Sequence, residues 1–221
     1  MLLDAGHMDM PRALAGLSEK GYAFVPGALN EEASAGLIAV LERLSYRGAD
    51  EWVNGVRQGF GQRVLSPEEA AEAPNTQPLA ALAREMADTV MAAAAECGHT
   101  SLAADRSRGQ AGVGEAGGYR PTEIAVQRYA QPEDGITPHR DGLRFRKLVC
   151  VFSLGAEVEF SITTGRSGEP LEARPMRSGD LALLRGPGFG AGPARRPYHA
   201  VTGPAHGVRY SVTLRMRHGT E

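Results

Sequence analysis

The chain has 221 residues, 42% of them hydrophobic, and a formal net charge of -2, which suits a single globular domain with a sizeable core. That charge argues against a strongly cationic nucleic-acid binder, although a local basic groove stays open. No apolar run approaches the roughly 18 residues needed to cross a membrane, and the N-terminus lacks the basic-then-apolar order of a secretory signal, so a cytoplasmic protein is expected.

Gly6-His7-Met8 reads as a cloning remnant and is left out of the fold reading. Residues 13–25 then read as a short helix followed by a strand at Tyr22–Val25, ended by the turn signal Pro26-Gly27. Asn30 is placed to cap a helix whose first turn carries Glu31 and Glu32, both favourable to the helix dipole. Leu37, Val40, Leu41 and Leu44 recur at spacings of three and four and give that helix one buried face. Over residues 45–76 the pattern is weak. Gly48, Gly55, Gly59 and Gly61 suggest loops or a short hairpin around Trp52, Val53 and Phe60. With Tyr46 and Arg57 this stretch is a candidate lid, or else an ordinary surface hairpin packing one Trp.

Ser66-Pro67-Glu68-Glu69 marks a helix start. A longer helix is expected over 78–96, with Leu79, Leu82, Met86, Val90 and Met91 as its apolar set and Gly98 as its stop. Residues 105–119 are Gly-rich and read as a mobile loop. After Pro121 the texture changes to strands, at Glu123–Tyr129, 146–154, 158–162, 180–184 and Arg209–Arg217, with a loop over 186–197. Cys97 and Cys150 lack any CxxC partner and read as buried reduced thiols. Helices first and strands afterwards suggest an α+β protein: one domain over 1–221, with a helical part at about 10–100 and a sheet core at about 121–218.

His139-Arg140-Asp141 is a His-x-Asp pair, and residues i and i+2 of a strand share one side. Both can therefore reach one metal, and His199 would close the set from a neighbouring strand. Two histidines and one carboxylate on one face leave three positions of an octahedral iron open, two for a bidentate oxoacid and one for dioxygen. A solvated pair at a strand end has the same look, so a second signal is needed. Arg209-Tyr210-Ser211 lies ten residues beyond His199. An arginine fork matches a carboxylate through two parallel hydrogen bonds, and the hydroxyl two residues along shares its face, which suits the distal carboxylate of 2-oxoglutarate. Arg215 repeats the face six residues on.

With these residues in hand, the chain resembles the 2-oxoglutarate/Fe(II)-dependent dioxygenase superfamily, and within it most the AlkB-related branch. The resemblance rests on Gln127-Arg128-Tyr129, His139-Arg140-Asp141, Phe152-Ser153-Leu154-Gly155, Ser178-Gly179-Asp180-Leu181, Tyr198-His199 and residues 209–215, in the order that branch shows. The stretch Gly21-Tyr22-Ala23-Phe24-Val25-Pro26-Gly27 before a helix resembles the usual opening of such domains. The resemblance implies a double-stranded β-helix, a cupin-like jelly roll with N-terminal helices packed on the sheet. It implies metal ligation by His139, Asp141 and His199, and capture of the distal carboxylate by Arg209 and Ser211. Tyr129 would hydrogen-bond the cosubstrate and Arg215 would help enclose it. Gln127 and Ser211 both depart from an Asn frequent in that branch. The implied cofactors are Fe(II), 2-oxoglutarate and O2. The implied reaction decarboxylates 2-oxoglutarate to succinate and CO2 while a substrate C–H bond is hydroxylated or a methyl group is lost as formaldehyde.

The substrate is less legible. Arg144, Arg146, Lys147, Arg195 and Arg196 could line a mouth for an anionic substrate, or be solvated charges. Aromatic content is 6%, with no evident base-stacking pair near the basic cluster. A small-molecule substrate is therefore favoured over nucleic acid. AlkB-type base dealkylation is the main rival. An inert cupin-like metal-binding module is a third reading, although it would have no use for Arg209 and Ser211.

Overall fold

The computed structural model describes residues 1–4, 6–102, 118–190 and 196–217. Most of the Gly-rich stretch, and Arg195, lie outside the described residues. The first helix, α1 (Met10–Glu19), begins earlier than the apolar pattern suggests, because the Asp9 side chain accepts from the Arg12 amide and caps it. Gly6-His7-Met8 also belongs to the folded chain. The Asp4 side chain accepts from the Gly6 amide and meets the His7 ring, each at 3.0 Å, and Leu3 is buried in a bridge to Leu29.

Strand β1 (Tyr22–Val25) leads to α2 (Glu31–Leu41), capped by Asn30 as expected, with Leu37 and Leu41 buried. Four short strands follow: β2 (Arg47–Gly48), β3 (Trp52–Val53), β4 (Val56–Gly59) and β5 (Gly61–Leu65). Then come α3 (Pro67–Glu72), opened by a Ser66/Glu69 capping box, and α4 (Gln77–Glu96). Leu79, Leu82, Met86 and Val90 of α4 are fully buried, each contributing roughly 1.5–3 kcal/mol of transfer free energy. The remaining strands are β6 (Glu123–Tyr129), β7 (Gly135–His139), β8 (Phe145–Gly155), β9 (Val158–Thr163), β10 (Pro170–Met176), β11 (Leu181–Arg185), β12 (Tyr198–Thr202) and β13 (Arg209–Arg217).

The strands form two antiparallel sheets. The larger runs β1-β11-β8-β13-β6-β5-β2 and the smaller β10-β9-β12-β7-β4-β3. Strand alternation explains how the larger sheet serves two cores at once. On β13, Tyr210, Val212, Leu214 and Met216 join the helices in the main core, as do Leu148, Cys150, Phe152 and Leu154 of β8. Val149 and Val151 of β8 and Leu184 of β11 face the other way, against Phe160 and Ile162 of the smaller sheet. This is the α+β double-stranded β-helix that the resemblance implies. The short N-terminal strands blur the division into a helical part and a sheet core, since β1, β2 and β5 complete the larger sheet and β3 and β4 the smaller one.

Candidate active site

His139 ends β7 and His199 lies on β12, and the antiparallel register pairs the two directly. Their ring centroids are 4.2 Å apart. Phe160 stacks in parallel on His199 at 5.6 Å and fixes that ring from behind. The Nδ1 of His139 lies 3.0 Å from the Thr137 carbonyl, and that of His199 3.5 Å from the Pro197 carbonyl. A carbonyl only accepts, so Nδ1 carries the hydrogen in each ring and Nε2 keeps its lone pair. The Nε2 of His199 stands 3.7 Å from Oδ2 of Asp141, two residues past the end of β7.

Burial pushes His139 down to about 3, with the neighbouring His199 adding to the effect. Burial lowers His199 as well. For Asp141 burial acts upward, but His199, Arg215 and His139 together outweigh it and hold the carboxyl below its ordinary value. At neutral pH the group is thus two neutral imidazoles and one carboxylate, the forms a divalent cation needs. The three are adjacent without being closed into a cage. Among the described residues no three His, Cys, Asp or Glu side chains stand ready-made around a metal, and 3.7 Å exceeds the roughly 3 Å between cis ligands lying about 2.1 Å from a metal.

Arg215 also engages Asp141. Its Nη1 lies 3.5 Å from Oδ1 of Asp141, and its Nη2 pairs at 2.7 Å with Glu123. Glu123 is 3% exposed, stands opposite Arg215 in the β6–β13 register, and also accepts from Arg217. Sequence reading missed Glu123. The available signal was an acid opening an apolar strand, a position that requires a cationic partner.

The opposite wall of the site comes from the larger sheet. Arg209, Ser211, Thr213 and Arg215, on the inner face of β13, line a cavity of about 570 Å³ together with the histidines and Asp141. Arg209 is 1% exposed, donates from Nε to Ser153 Oγ at 3.2 Å, and lies 4.7 Å above the Tyr129 ring. Its two terminal nitrogens have no hydrogen-bond partner among the described residues. Ser211 and Tyr129 both donate to the Gln127 side-chain carbonyl, at 2.8 and 3.0 Å. Gln127 therefore ties together two hydroxyls expected to face the cosubstrate.

The candidate lid divides. Val53, Asn54, Val56, Gln58, Phe60 and Gln62 line the cavity, whereas Tyr46 packs on Tyr210 against the main core. Asn54 and Gly55 both take positive φ between the paired residues Val53 and Val56, the type I′ turn that Asn-Gly favours. Arg166, from the β9–β10 connection, donates to the Asn54 carbonyl and fastens the hairpin tip. Trp52 is exposed rather than packed.

A sequence model described as the 2OG-Fe(II) oxygenase superfamily matches residues 51–216. No curated protein sequence matches the chain. Among solved structures, a Pseudomonas putida prolyl-4-hydroxylase aligns at TM-score 0.63 and 15% identity, over 96% of this chain and 100% of that one. A Trichoplax adhaerens prolyl hydroxylase, solved with a hypoxia-inducible-factor peptide fragment, aligns at TM-score 0.60 and 16% identity, over 95% of this chain and 90% of that one. OsALKBH1 aligns at TM-score 0.58 and 16% identity, over 88% and 97%. At these identities the likeness is one of fold, shared by hydroxylases and an AlkB-related protein alike.

Proposed function

We propose, from the fact that the chain belongs to the 2OG-Fe(II) oxygenase superfamily, that it oxidises a C–H bond of a small-molecule substrate at the cavity between its two sheets. The chain is a dioxygenase, and its family's chemistry uses Fe(II), 2-oxoglutarate and O2. Bound iron supplies the activation of dioxygen that couples loss of CO2 from 2-oxoglutarate to oxidation of the substrate.

His139, Asp141 and His199 would hold the metal. The carbonyls of Thr137 and Pro197 keep each imidazole in the tautomer that presents Nε2. Arg215 would hold Asp141 ionised until the metal takes it, with Glu123 carrying part of the arginine's charge. Arg209 and Ser211 would bind the distal carboxylate of 2-oxoglutarate, with Tyr129 beside them.

The observation that carries this reading is the Arg209 fork, buried with both terminal nitrogens unpartnered on the wall facing the histidines. A buried guanidinium without a partner is costly, and a carboxylate would satisfy both nitrogens at once.

The test is succinate formation from 2-oxoglutarate in air with iron(II) and ascorbate, alone and with candidate substrates. Succinate should require iron and fall at least 100-fold in Asp141→Ala. Iron-independent succinate, or full activity of that variant at saturating iron, would remove the assignment. Formaldehyde released only from methylated oligonucleotides would move the substrate to nucleic-acid bases.

A further inference from the structure

The cavity wall carries far more positive charge than oxygenase chemistry alone requires. Among the described residues six arginines line it, namely Arg140, Arg144, Arg166, Arg196, Arg209 and Arg215, against a single carboxylate, Asp141. The whole chain has a net charge of -2, so this concentration is local. Under the proposed function Arg209 and Arg215 are committed to 2-oxoglutarate and Asp141. The other four have no acidic partner among the described residues. Arg140 lies over the Tyr198 ring at 4.0 Å and Arg144 over Phe145 at 4.7 Å. Arg166 and Arg196 donate to the backbone carbonyls of Asn54 and Asp141. Stacking on a ring or bonding to a carbonyl orients a guanidinium and leaves its charge uncompensated.

Apolar surface stands beside these charges. Leu143 is 67% exposed and Val53 37%, and both line the cavity. Two of the six large hydrophobic side chains exposed on the described surface thus stand at this one site. A cleft walled by one sign of charge raises the local concentration of the opposite sign, and an arginine fork discriminates for carboxylate or phosphate oxygens. We infer that the substrate is a small organic anion, with an apolar body against Val53 and Leu143 and a carboxylate or phosphate group held by Arg140 and Arg144. This rests on the proposed function, because it takes the iron and cosubstrate positions as given. A nucleic acid fits less well. It would need an extended cationic track, whereas these arginines ring a single opening in a chain of net negative charge.

Isothermal titration calorimetry without oxygen reads binding without turnover. The experiment titrates the full chain, loaded with iron(II) and 2-oxoglutarate under argon, with phenyl phosphate, 4-phenylbutyrate, their neutral counterparts phenol and 4-phenylbutyramide, and a methylated single-stranded oligonucleotide. Each anion should bind at least tenfold more tightly than its neutral counterpart. The contrast should collapse in Arg140→Gln/Arg144→Gln, and the phosphate and carboxylate arms report which group is preferred. Equal binding of neutral and anionic probes, no binding of either anion at millimolar concentration, or an unchanged contrast in the double variant would overturn the inference. So would binding of the oligonucleotide alone. The oxygenase reading fails separately, by absence of iron-dependent succinate in air.

Discussion

At the scale of single residues, the site depends on what each side chain is denied. Arg209 is denied an internal anion, and Ser153 satisfies only its Nε. A charge-assisted bidentate contact is worth about 1.5–3 kcal/mol, so Arg209→Ala is expected to weaken 2-oxoglutarate binding roughly 10- to 100-fold while iron binding persists. Isothermal titration with each ligand checks this, and an unchanged 2-oxoglutarate affinity would assign the carboxylate elsewhere. The two cysteines make a contrasting pair. Both were expected to be buried, but Cys97 is exposed at the end of α4. Cys150 lies in the core, 3.2 Å from the Tyr119 hydroxyl, and burial pushes its thiol up to about 12. At pH 8 a thiol reagent should titrate one cysteine in the native protein and the second only after denaturation. Above about pH 9 the unfolded thiol ionises while the folded one holds its proton, so Cys150 lowers stability as pH rises toward 12. Legibility at this scale was uneven. His139 and Asp141 are two residues apart at the end of β7, and Arg209, Ser211 and Arg215 fall at even spacings along β13, so each group's shared face is written in the sequence. The Arg215–Glu123 pair joins residues 92 apart in the chain through strand register, which no local pattern carries.

At the scale of elements, the helices were read from caps and periodicity, because both signals lie within a few residues. The strands that escaped reading have physical reasons. β7 is Gly-Ile-Thr-Pro-His, too short and polar to alternate, and it exists because β12 and β4 pair on either side. β10 is an edge strand, exposed along most of its length and carrying two prolines, which only an edge tolerates. β12 hides in a Gly/Pro-rich surrounding. Glycine also decides one turn. Gly155, the last residue of β8, has φ of 81°, and a Cβ there would stand 2.4 Å from the Val208 carbonyl oxygen. Gly155→Ala combines a forbidden φ with a backbone collision and should cost at least ~2 kcal/mol. The checking measurement is a thermal melt, in which Tm should fall by about 5 °C or more. An unchanged Tm would mean that the β8–β9 turn yields freely.

At the scale of the whole molecule, the two sheets divide the labour. The candidate metal ligands belong to the smaller sheet or its connection, and the candidate cosubstrate residues to the larger. A ligand that spans them binds only the folded state, so saturating 2-oxoglutarate with iron should raise the Tm of the wild-type chain. In Arg209→Ala that rise should largely vanish, and a full rise in the variant would contradict the bridging role.

The same division makes the molecule a length gauge. Facing sheets pack about 10 Å apart, a separation set by interdigitated core side chains such as Val149, Val151, Phe160 and Ile162 and not by any loop. A diacid anchored at its oxo end on one sheet and at its far carboxylate on the other is therefore measured against a fixed span. Oxaloacetate, one methylene shorter, and 2-oxoadipate, one longer, should both be poor cosubstrates. Reshaping the Asn54–Gly55 hairpin to admit a different substrate should leave that preference for a five-carbon acid untouched.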